Sequence, residues 1–66
     1  MIIADAAALV LREANASLHV RDIHSQIVSQ QLFEFKAKDA VSVVSAVLRK
    51  NDQFEKTAPG TFRLKK

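Results

Sequence analysis

The sequence predicts an α+β fold that is mostly helical, with three helices followed by one C-terminal β-hairpin. Apolar residues recur with helical period along the chain as far as Lys50. After that the pattern changes. Phe54, Phe62 and Leu64 can share one face of a two-stranded hairpin, because strand side chains alternate with period two. The chain's single proline and single glycine stand side by side between those two runs, as a Pro-Gly turn requires. Three helices and one basic hairpin are the outline of a winged helix-turn-helix, and that outline points toward nucleic acid.

The first helix spans roughly Ile3 to Ala14. Ile3, Ala7, Val10, Leu11 and Ala14 make one apolar stripe, widened by Ile2, Ala6 and Leu9, with Leu9 partly exposed. Asn15 follows, and it tolerates the left-handed conformation that closes a helix. Leu18-His19-Val20 is too short to stand alone but can pair with the hairpin as a third strand. The second helix spans roughly Arg21 to Gln31, burying Val20, Ile23, Ile27 and Val28, with Asp22 complementing the dipole of its first turn. Leu32 and Phe33 read as a core anchor, and Glu34 to Lys38 as a short charged connection. The third helix runs from about Ala40 to Lys50 with Asp39 as its N-cap. Val44, Val47 and Leu48 should face the core, with Val41 at its edge. Ser42, Ser45, Ala46 and Arg49 should lie outward, and Val43 between. Asn51 and Asp52 end the helix.

A chain of 66 residues is expected to form one domain, residues 1–66, either complete or a module of a longer protein. It has no cysteine, so disulfides and cysteine-bearing zinc sites are excluded, and His19 and His24 alone cannot fill a structural metal site. No apolar run is long enough to span a membrane, and Met1-Ile2-Ile3 lacks the positive start of a signal peptide, so the expected location is intracellular. No cofactor is expected. The sequence holds no nucleophile–base set and no carboxylate pair, and one glycine cannot make a Walker loop, so an enzyme is not expected. His19, beside a helix start, is read as bonding backbone groups at that junction. The net charge of +3 is unevenly spread: residues 1–33 sum to −1 and residues 34–66 to +4. A basic half beside a near-neutral half suits a protein with one polyanion-facing side.

In order along the chain stand Asp5-Ala6-Ala7, Val10-Leu11-Arg12-Glu13-Ala14, Leu18-His19-Val20-Arg21-Asp22-Ile23, Leu32-Phe33, Val44-Ser45-Ala46-Val47-Leu48, Phe54 and Pro59-Gly60-Thr61-Phe62-Arg63-Leu64. Together they resemble the HARE-HTH winged-helix domain over nearly the whole chain. That family occurs in eukaryotic chromatin proteins and in bacterial restriction and DNA-modification systems, and a related domain opens the delta subunit of bacterial RNA polymerase. Asn15 stands where the family usually has a glycine, Ser17 where a proline is common, and Asp39-Ala40 where threonine and proline often open the third helix. The resemblance implies a DNA-binding or DNA-recruiting module.

On that reading the third helix is the recognition helix. Ser42 and Ser45 can donate to phosphates or base edges, and Arg49 and Lys50 can reach phosphate oxygens. Lys36 and Lys38, just before the helix, can neutralise phosphates, as can Lys56 and Arg63 on the wing. Lys65 and Lys66 read as a frayed terminus. The expected partner is double-stranded DNA, bound with little sequence selectivity, and the expected role is to recruit a restriction-modification or transcription-regulatory activity. The alternative is a protein-interaction module of the same fold. It would use a protein partner or a homodimer through Leu9, Phe35 and Val43, if these form one exposed patch.

Overall fold

The computed structural model describes residues 1–65, and Lys66 lies outside them. Helices α1 (Ile3–Ala14), α2 (Val20–Ser29) and α3 (Ala40–Lys50) share one apolar core with strands β1 (Leu18–His19), β2 (Phe54–Ala58) and β3 (Thr61–Leu64). The sheet is antiparallel, in the order β1-β3-β2, so the hairpin's second strand is its centre. This is a winged helix-turn-helix, with the third strand drawn from the segment before α2.

Helix α1 has the expected bounds. Asn15 closes it at φ 53°, donating its N–H to the Leu11 carbonyl at 2.9 Å. Its buried face is built mainly of alanines. Ala4, Ala6, Ala7 and Ala8 are buried with Val10 and Leu11. Small side chains let the neighbouring elements approach α1 closely. Two members of the expected stripe fall outside the core: Ile2 precedes the helix in extended backbone, and Ala14 is exposed in its last turn.

Helix α2 starts one residue earlier and ends two residues earlier than the periodicity suggests. At the start, His19 is the N-cap. Its Nδ1 accepts from the Arg21 N–H at 3.1 Å, while the Val20 N–H donates to the Gly60 carbonyl at 2.8 Å. At the end, Gln31 turns left-handed at φ 57°. The Gln31 N–H then bonds the Val28 carbonyl at 3.0 Å and the Leu32 N–H bonds the Ile27 carbonyl at 2.9 Å. That is the Schellman arrangement, and it returns Leu32 to the core as its apolar partner. Val28, expected on the buried face, is 50% exposed. In α3, Val44 and Leu48 are buried as expected, but Val47 is only half-buried.

The hairpin has a bulge at Thr57, between the pairs Lys56↔Phe62 and Ala58↔Thr61. This one residue decides which side chains reach the core. A regular hairpin closed at Ala58↔Thr61 would pair Thr57 with Phe62 and so place Phe54 and Phe62 on opposite faces. With Thr57 set aside, Phe54 pairs with Leu64, and both share the face of Phe62. Phe54 and Phe62 are accordingly both buried.

Gly60 sits at φ +70°, as the second turn position after proline requires. A Cβ added there would stand 2.8 Å from His19 Nε2, on the ring whose other nitrogen caps α2. Gly60→Ala therefore meets a left-handed backbone cost of about 1–2 kcal/mol and a collision with the capping ring. We expect it to lower stability in a urea melt. Part of that loss should be recovered in a His19→Ser background, where the serine oxygen keeps a cap and the ring is gone. An equal loss in both backgrounds would show that the ring contact contributes nothing.

Candidate nucleic-acid interface

Asp39 opens α3 by accepting twice from Ser42: its N–H at 3.2 Å and its hydroxyl at 2.7 Å. The hydroxyl bond and then the backbone bond hold the Asp39 carboxyl below its ordinary value. Such a carboxylate stays ionised and complements the helix dipole. The Ser42 hydroxyl thus spends its proton inside the cap, and what it still offers outward is acceptor lone pairs.

Ser42, Arg49 and Lys50 are exposed on the outer side of α3, and Arg49 and Lys50 lie in its last turn. Ser45 and Ala46 are half-buried rather than fully outward. By helical spacing Ser45 falls toward the flank, while Ala46 lies centrally between Ser42, Arg49 and Lys50. The outer face therefore has a small centre and a cationic C-terminal end.

Between α2 and α3 the chain is extended. Phe33 and Phe35 turn inward and are half-buried, while Glu34 and Lys36 alternate outward. Phe35 packs against Phe33, with ring centroids 4.9 Å apart, and against His24 at 4.8 Å. This aromatic group anchors the turn and leaves Lys36 and Lys38 exposed just ahead of α3. The Phe-Glu-Phe-Lys alternation carries the signal for it. The turn's two lysines are matched by Glu34 and Asp39, so the excess positive charge of this region lies at Arg49 and Lys50.

The structure brings Lys36, Lys38, Ser42, Ser45, Arg49 and Lys50 onto one turn-and-helix unit. It does not bring the two wing cations together. Lys56 pairs with Phe62 and Arg63 with Glu55, so they occupy opposite faces of the hairpin. Arg63 is also engaged: its Nε and Nη2 reach Glu55 Oε2 at 2.7 and 2.6 Å. Alternation could not reveal that pair, because the bulge sets the register. Nor do Leu9, Phe35 and Val43 form an exposed apolar patch, since all three are half-buried and Phe35 packs on the core. Among the described residues every buried side chain is apolar, and no helix is long and apolar enough to cross a membrane.

Three helices, a long turn before an exposed third helix and a bulged wing define the chain as a winged helix-turn-helix domain. It belongs to the HARE-HTH family, described as a helix-turn-helix domain of ASXL and restriction endonuclease proteins, with a match over residues 1–66. That family is one of DNA-binding rather than catalytic domains. Searches of curated proteins and of solved structures each found no match.

Proposed function

We propose that residues 1–66 form a single non-enzymatic module that binds double-stranded DNA, with α3 in the major groove and the wing on the backbone or minor groove. The observation that carries this reading is the exposed outer face of α3. Its small centre permits close approach to base edges, and Arg49 and Lys50 end it beside two solvent-facing lysines of the turn. Phosphate contacts dominate the affinity. Sequence selectivity is low, because this face offers one arginine able to read a base bidentately. Ser42 accepts rather than donates, and Lys56 contributes more than Arg63, whose guanidinium is already partnered. The module delivers an attached restriction, modification or regulatory activity to DNA. The family description, which includes a restriction endonuclease domain, supports this role.

Titrating the protein with a fluorescent random-sequence duplex at two salt concentrations tests the proposal. Lys36, Lys38, Arg49, Lys50 and Lys56 together would give log K a slope of about −4.5 against log salt if all five met phosphates. Contact by only three would give about −2.7. Affinity falling by about one to three orders of magnitude between 50 and 200 mM salt is the expected result. No binding at low salt and high micromolar protein would end the DNA reading.

A further inference from the structure

A second basic surface lies away from α3. Between the C-terminal end of α1 and β3 is a hollow of about 390 Å³, with Arg12, Arg63 and Lys65 around it and Leu64 and Ala16 in its wall. All three cations are exposed, and no carboxylate is part of the lining. None of the lining residues comes from α2, α3 or the wing turn. Arg63 stands three residues beyond Gly60, at the base of the hairpin.

Two features make this a built surface rather than a set of loose side chains. Glu55 takes Nε and Nη2 of Arg63 on one oxygen, which fixes the guanidinium plane and leaves Nη1 for another acceptor. Lys65 is held as a continuation of β3, its N–H bonded to the Gln53 carbonyl at 2.8 Å. It is therefore not the frayed end its position suggests.

We propose that this hollow docks an acidic peptide segment of a partner protein, one that also carries an apolar side chain. Three cations with no lining carboxylate select a negative occupant. The half-buried Leu64 and exposed Ala16 select one that can cover apolar surface, which a phosphate backbone cannot do. The partner sits at the hairpin base while α3 and the turn remain free, so this inference goes beyond the DNA reading and does not depend on it.

The test is a ¹H–¹⁵N NMR titration of the full chain with three probes: a capped peptide of alternating glutamate and leucine, polyglutamate of equal length, and the random duplex. The glutamate–leucine peptide should shift the amide signals of Arg12, Ser17, Leu64 and Lys65. Polyglutamate should bind at least about threefold more weakly, reflecting the lost apolar contact. Arg12→Gln with Lys65→Gln should weaken the peptide at least about fivefold through two lost exposed ion pairs, while leaving affinity for the duplex within about twofold. No shifts at millimolar peptide would overturn the proposal. So would equal binding of polyglutamate, which would mark a surface selecting charge alone. Loss of duplex affinity in the double variant would overturn it too, by assigning the surface to DNA. If the duplex fails to bind at all while the peptide does, only the DNA reading falls.

Discussion

Phe62→Ala is expected to abolish the cooperative melt of this protein or to lower its Tm by at least about 12 °C. Phe62 lies on the central strand of the sheet, opposite Leu18 on one side and Lys56 on the other, and it is the largest of the fully buried side chains. Removing a buried phenylalanine costs about 3–5 kcal/mol, from lost transfer energy and the cavity left behind. A chain of 66 residues has total stability of only about 3–10 kcal/mol at the usual value per residue. The loss is felt throughout, because the same core holds α1, α2, α3 and the sheet. A circular-dichroism melt with Tm within a few degrees of the parent would mean that the hairpin is not packed as described.

Arg49→Ala combined with Lys50→Ala is expected to weaken duplex binding at least about tenfold and to reduce the salt slope by about 1.8. Both side chains are exposed, so the melt should move little. They do sit favourably at the negative end of the α3 dipole, which makes a small stability loss the structural component of the change. Fluorescence anisotropy at fixed salt separates the two effects. A folded variant that binds as tightly as the parent would remove α3 from the interface. A loss of affinity with no change in slope would point instead to base contacts or to a local rearrangement.

Much of the fold was legible in the sequence because its signals are local. The Asn15 stop, the Asp39 cap, the bounds of α1 and α3 and the Pro59-Gly60 turn depend on nearest neighbours, and each stands as its residue type predicts. The role of His19 as a backbone partner was legible for the same reason. Helix α2 was less so. Its end rests on Gln31 adopting a left-handed φ, which glutamine does not advertise, and the return of Leu32 to the core stabilises that turn. Of the candidate interface, the sequence marked the charged residues. It could not tell which were engaged, because the partners of Arg63 and Ser42 follow from register and cap geometry.

The sequence by itself determined the class of the fold, the order of its elements and the basic character of its second half. Periodicity, caps and charge are properties of residues and their neighbours along the chain. Tertiary structure alone decided the faces. Thr57 is bulged because only that register buries Phe54 beside Phe62, and the same shift sets Glu55 opposite Arg63. A change of one residue in strand register exchanges every inward and outward side chain. That choice is made by the core, through contacts between residues far apart in the chain.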